Sequence, residues 1–78
     1  MTLTFFGRLR DVVGVHHMML AVPPEVRDSE SLRHWLGAQY PALLDPSVRI
    51  AIDDVLATST VPITGATEAA FLPPISGG

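Results

Sequence analysis

The 78-residue chain has no cysteine, so it carries no disulfide framework, no thiolate nucleophile and no cysteine-based metal site. It also has no lysine. Its positive charge is five scattered arginines, Arg8, Arg10, Arg27, Arg33 and Arg49, against eight carboxylates, for a net charge of -3. Nucleic-acid binding calls for a basic stripe, which this balance does not supply. No apolar run approaches the roughly 18 residues needed to span a bilayer. The opening "MTLTFFGRLR" lacks the basic-then-apolar order of a secretion signal. The chain is therefore read as cytoplasmic, with no membrane partner, and its leading Met1 as the start of a complete natural chain.

What is present is the composition of one small folded domain, 47% hydrophobic and 17% charged. "TLTFF" (2–6) opens with apolar/polar alternation, predicting a strand with Leu3 and Phe5 on one face and Phe6 on the other. "GRLRDVVG" (7–14) reads as one or two helical turns between glycines, and "VHHMMLAV" (15–22) as a second strand that Pro23-Pro24 ends. The short connection pairs these two strands antiparallel. The main helix follows Asp28 or Ser29, either of which can cap it, and Glu30 complements its dipole. Leu32, Trp35, Leu36 and Tyr40 form its apolar stripe, Gly37 weakens it, and Pro41 ends it near 39–40. "VRIAID" (48–53) predicts a third strand, Asp53-Asp54 a turn, "VLATS" (55–59) a short strand, 63–67 a turn and "EAAFL" (68–72) the last strand. This order predicts an α+β roll of the β-grasp, ubiquitin-like kind, a mixed sheet with one main helix on one face. The helix makes the crossover, so the last strand should lie parallel beside the first at the sheet centre. The domain is expected to span 1–72, with 73–78 a flexible C-terminal tail ending in Gly-Gly.

Side-chain catalysis finds little support. His16 and His17 are adjacent in a predicted strand, so their rings should point to opposite faces, one solvated and one partly buried, and cannot share a metal. His34 should lie on the polar side of the helix. Asp53-Asp54 reads as turn chemistry rather than an acidic site. The serines show no partner pattern, and no Gly-rich phosphate loop follows a strand. No metal site is expected.

The remaining candidate is "PPISGG". Two terminal glycines occur by chance in roughly one chain in 200, which is weak alone. A Gly-Gly end, however, can thread a channel too narrow for side chains, and six extended residues reach about 20 Å. Pro73-Pro74 stiffen the base, limiting the entropy lost on docking. The α-carboxylate is an anion at neutral pH and becomes an electrophile only when a partner activates it. Taken alone, the tail reads equally as a frayed terminus. If Leu3, Phe5 and Phe71 face the helix, Phe6 and Leu72, joined by Leu56, stand on the opposite face at the tail's base. That is an apolar docking patch; the plainer reading is isolated exposed apolar residues.

Three segments resemble the small subunits of molybdopterin synthase, the MoaD family of ubiquitin-fold sulfur carriers related to ThiS. "FFGRLRDVVG" (5–14) is similar to the family's Phe-Phe-Ala-x-x-Arg-Glu-x-x-Gly opening, and "VRIAIDDVLA" (48–57) to its Ala-Val-Asn-x-x-x-Val hairpin. "EAAFLPPISGG" (68–78) is similar to Glu-Val-Ala-Phe-Phe-Pro-Pro-Val-Ser-Gly-Gly. The resemblance covers essentially the whole chain, and Pro-Pro before Gly-Gly is its most specific part. Departures are Gly7 for Ala, Asp53 for Asn, Gly65-Ala66-Thr67 for Asp-Gly-Asp, and Leu72 for the second Phe.

The resemblance implies a non-catalytic, sulfur-donating subunit that binds no cofactor. Gly78 would be adenylated by an ATP-consuming, E1-like enzyme and converted to a thiocarboxylate by a cysteine-desulfurase or rhodanese-type donor. Pro73, Pro74, Ile75, Ser76 and Gly77 would insert into the large synthase subunit, with Phe6, Leu56 and Leu72 at the contact, in a heterotetramer. The sulfur would go to a cyclic pyranopterin precursor, forming the dithiolene of molybdopterin in molybdenum cofactor biosynthesis. The alternatives are a carrier for thiamine, cysteine or tRNA thiolation, or a ubiquitin-like modifier; without lysine, such a modifier could not form self-linked chains.

Overall fold

Alternating and helical stretches become eight elements in the structure, a computed structural model that describes residues 1–74. They are β1 (Thr2–Phe5), α1 (Leu9–Val13), β2 (His17–Met19), α2 (Ser29–Gly37), a 3-10 turn (Pro41–Leu44), β3 (Arg49–Ile52), β4 (Val55–Leu56) and β5 (Glu68–Leu72). The five strands form one mixed sheet in the order β2-β1-β5-β3-β4. The β1–β5 pair is parallel and central, and the other pairs are antiparallel. This is the α+β roll expected from the element order.

One face of the sheet holds the core. Leu3 and Phe5 of β1, Ala69 and Phe71 of β5 and Ile50 and Ile52 of β3 pack with Leu32 and Leu36 of α2 and with Leu9, Leu43, Val48 and Ile63. Parallel pairing sets Phe5 beside Phe71, with ring centroids 5.6 Å apart and nearly parallel planes. Full burial of each ring contributes about 1.5–3 kcal/mol relative to exposure.

The α2 cap is Asp28. Its Oδ1 accepts from the Ser31 N–H at 2.7 Å, and the Ser31 Oγ accepts from the Asp28 N–H at 3.1 Å, a reciprocal capping box. Ser29, the other candidate, is buried instead and ties the helix start to Val61 through two hydrogen bonds. The helix ends at Gly37, earlier than 39–40. A Cβ there would collide with the Leu44 side chain, because the 3-10 turn folds back onto the helix at that point. Gly37 is thus a close-packing position, not merely a weak point in the helix.

Four strands are shorter than predicted: β1 covers 2–5 rather than 2–6 and β3 49–52 rather than 48–53, and the other two lose more. β2 covers 17–19 rather than 15–22, because residues 14–16 bend and β1 runs out of partners at Met1, whose carbonyl accepts from the Leu20 N–H. β4 covers 55–56 rather than 55–59, since the Ala57 N–H to Ile50 carbonyl bond (2.8 Å) closes that ladder. The β3–β4 connection is a two-residue turn with positive φ at both Asp53 (46°) and Asp54 (69°), the geometry that matches strand twist in a tight hairpin.

Candidate functional site

The face opposite α2 is built by the other half of each strand's alternation. Its central row runs His17, Thr4, Ala70, Ala51, Leu56 across all five strands. The middle of that row is small, and Thr4 and Ala70 are shaded by their neighbours despite facing away from the helices. The next row sets Leu72 beside Arg49. Phe6 follows at the same end of the sheet, its N–H donating to the Phe71 carbonyl at 3.0 Å and so extending the central ladder past β1. Phe6 is 41% exposed and Leu56 48% exposed, whereas Leu72 is half-buried. Phe6 and Leu72 therefore share one end of the face, while Leu56 stands two strands from Leu72 and one row away. Sequence reasoning missed Arg49, the charged member of the Leu72 row. Its alternation with Ile50 and Ile52 already carried that information.

The histidines correct an expectation. His16 and His17 do not point to opposite faces: their ring centroids lie 4.1 Å apart. The period-two rule fails because His16 sits in the bend before β2 and is not part of a strand. His17 Nδ1 lies 3.2 Å from Thr4 Oγ1, and His16 meets the Phe6 ring edge-on at 5.5 Å. The His16 imidazole titrates below its ordinary value, first through desolvation and then through His17 and Arg10. Among the described residues no group of three or more His, Asp or Glu side chains is placed to hold a metal. His34 is exposed on α2.

Asp53 works within the fold. Its Oδ1 accepts from the Thr67 N–H (3.0 Å), the Thr67 hydroxyl (3.1 Å) and the Glu68 N–H (2.9 Å), anchoring the β3–β4 turn to the start of β5. Those donors hold its carboxyl below the usual range. Threonine at 67, where the resembled pattern has aspartate, provides a donor instead of a second carboxylate beside Asp53.

Arg33, one of the five scattered arginines, has a structural role that its position in the sequence does not announce. Its guanidinium donates to the carbonyls of Leu43 (3.1 Å), Asp45 (3.1 Å) and Val48 (2.8 Å), clamping 43–48 to α2, while its Nε lies 3.6 Å from Glu30. The adjoining cleft of about 280 Å³, lined by Ser29, Arg33, Arg49 and Thr58–Thr60 among others, is open, and most of that arginine's donors are already engaged.

At the tail's base, Pro73 and Pro74 are half-buried after β5. Pro73 lies against Gly7, which has a φ of 56°. Ile75, Ser76, Gly77 and Gly78 lie outside the described residues. No helix among the described residues is long and apolar enough to cross a membrane.

Comparison with known proteins matches residues 3–78 to the model of the ThiS family. The chain is 34% identical over 79 aligned residues to the molybdopterin synthase sulfur carrier subunit of Escherichia coli K12, covering 95% of this chain and 94% of that one. The solution structure of small archaeal modifier protein 1 from Methanosarcina acetivorans superposes with a TM-score of 0.69 at 21% identity, covering 99% of this chain and 94% of the other. A putative molybdopterin converting factor subunit 1 from Pyrococcus furiosus gives 0.69 at 16% identity, over 95% of each chain. The two solved structures share the ubiquitin-like fold.

Proposed function

The chain belongs to the ThiS family, and on that premise we propose that it is the sulfur-carrier subunit of a molybdopterin synthase. The observation that carries the reading is the 34% identity to the Escherichia coli carrier along nearly the whole of both chains. Pro73-Pro74 ahead of Gly77-Gly78 points the same way.

A terminal carboxylate repels nucleophiles, so one of its oxygens must first be made a leaving group. An E1-like partner spends ATP, forming the Gly78 acyl-adenylate and releasing pyrophosphate. The terminal sulfur of a persulfide on a cysteine-desulfurase or rhodanese-type donor then displaces AMP, giving an acyl disulfide, and a thiol reductant cleaves the S–S bond, leaving the thiocarboxylate and a disulfide. In the large subunit this sulfur bonds to a carbon of the cyclic pyranopterin precursor as a carbon–oxygen bond there breaks and the oxygen leaves. Water then hydrolyses the resulting thioester, returning the Gly78 carboxylate and leaving the sulfur on the product. A dithiolene holds two sulfurs and each chain has one C-terminus, so two charged carriers serve one product. The chain binds no cofactor of its own, and a protein without cysteine carries sulfur on a terminal carbonyl.

Docking falls to Phe6, Leu56 and Leu72, with Pro73, Pro74, Ile75, Ser76 and Gly77 spanning from the domain to the reaction centre in a cytoplasmic heterotetramer. What supports this is geometric: Phe6 and Leu72 stand at the end of the face from which Pro73 leads on. Small residues in the middle of the central row leave a flat surface for a partner to cover.

The test is reconstitution with an activating enzyme, a sulfur donor, a large subunit and the pyranopterin precursor. Intact mass should rise by one oxygen-to-sulfur exchange, and dithiolene should form. A second reading, a carrier for thiamine, cysteine or tRNA thiolation or a ubiquitin-like modifier, draws on the equal fold likeness to the archaeal modifier. Sulfur loading without dithiolene formation would favour the other carriers, and attachment of Gly78 to a lysine of another protein would favour the modifier.

A further inference from the structure

Three glycines among the described residues have positive φ, and they are not equivalent. At Gly14 (φ 97°) and Gly65 (φ 81°) an added Cβ would meet nothing within 4 Å. These two serve backbone geometry alone, since glycine enters the left-handed region without penalty. At Gly7 (φ 56°) the Cβ would stand 2.8 Å from Pro73 Cγ, 3.6 Å from its Cδ and 3.8 Å from its Cβ. The proline ring occupies the space a side chain would need.

We propose that Gly7 is a positioning residue for the tail: its bare backbone seats Pro73, and that seat fixes the direction in which the chain leaves β5. The inference rests on the carrier reading above. Its geometry is tightly determined on both sides. The Phe6 N–H to Phe71 carbonyl bond locks the residue before Gly7 to the strand that ends one residue before Pro73. The Pro73 ring fixes its own φ and restricts Leu72, and on the other side the Gly7 carbonyl accepts from the Arg10 N–H at 3.2 Å, so both sides of the seat are held. A tail that must enter a narrow channel is sensitive to its starting direction, because misplacement on the ångström scale slows a positioned reaction steeply. The resembled family pattern has alanine here. In this chain Gly7→Ala, the smallest added side chain, would carry both the strain of a positive φ and the 2.8 Å approach to Pro73.

The experiment uses full-length carriers charged chemically with a C-terminal thiocarboxylate, which bypasses activation, and measures single-turnover sulfur transfer at saturating large subunit. Gly7→Ala should slow transfer measurably and Gly7→Val by about tenfold or more, while melting temperatures stay above the assay temperature. Gly14→Val is the control. It imposes the same kind of backbone strain without a collision, and should lower the melting temperature yet leave saturated transfer unchanged. Adding Pro73→Ala to Gly7→Val removes the collision partner, so the double variant should lose less than the product of the two single losses. In the free wild-type protein, cross-relaxation between the Gly7 α-protons and the Pro73 ring should report the seat independently of any sulfur chemistry. Transfer at the wild-type rate in both Gly7 variants, strictly multiplicative losses, or no Gly7–Pro73 cross-peak overturns the seat. If Gly7→Val does not fold, Gly7→Ala and the cross-peak decide. Failure of the charged wild-type carrier to transfer sulfur counts against the carrier reading instead.

Discussion

The two faces of the sheet come from the same strands and differ in what alternate residues supply. The helix side stacks Leu3, Phe5, Ile50, Ile52 and Phe71, all buried. The other side has Thr4, Ala51 and Ala70 along its middle and keeps its larger groups, Phe6, His17, Leu56 and Leu72, at the rim. A face of large buried residues stores stability, because truncating any of them opens a cavity. A face of small residues stores little and stays flat, so a partner can approach the strands closely. Substitutions should sort accordingly: fold on one side, recognition on the other.

Deleting Gly78 should separate the two roles most completely. Dithiolene formation in the reconstituted synthase should vanish while the melting curve stays that of the full chain; an active truncated protein would break the division at its centre. Next in size, Phe71→Ala should lower unfolding free energy by about 3–5 kcal/mol, read from urea titration, with partner affinity intact in the folded fraction. A loss below about 1 kcal/mol would mean that the core relaxes around the gap. Phe6→Asp should do the converse, weakening large-subunit binding by roughly tenfold or more in calorimetry while stability moves by no more than about 0.5 kcal/mol. An equal fall in stability would place Phe6 with the core instead.

The smallest effect is in acid. Asp28, Asp45 and Asp53 all have folded-state pKa values below their ordinary ones, from hydrogen bonds to Ser31, Ser47, and Glu68 with Thr67 respectively. A depressed carboxyl pKa gives stability that is present above the unfolded value, near 4, and is lost as pH falls through the folded value. His16, whose neutral form the fold favours, acts in the same direction from about pH 6.5 downward. Asp53→Asn should therefore shallow the decline of stability below pH 4 relative to wild type. An unchanged acid limb would show that the β5 donors do not stabilise the charge.

The helix stripe, the parallel central pair and the core face were legible because they rest on periodicity and on one forced crossover. Leu32 and Leu36 had to share a side, and a helix between distant strands had to return one of them parallel. What escaped depends on where the chain stops being periodic. His16 lies one residue outside a strand, so alternation misassigned its ring. Gly37 reads as a weak helix former until Leu44 is seen lying on it, and the Arg33 clamp joins residues 10 to 15 positions apart through backbone carbonyls that have no sequence signature. In the candidate site, the face on which Phe6 and Leu72 stand follows from the same alternation, and Leu56 and Arg49 are located by register. Gly7 against Pro73 is a contact between segments 66 positions apart, and neither residue alone announces it.

The central place of β5, hydrogen-bonded on one side to β1 and on the other to β3, has a mechanical consequence. Traction on the chain beyond β5 pulls that strand along its own axis. Both ladders are then loaded in shear, so their bonds share the force and do not open one after another. A pull on its end therefore does not unzip the domain strand by strand.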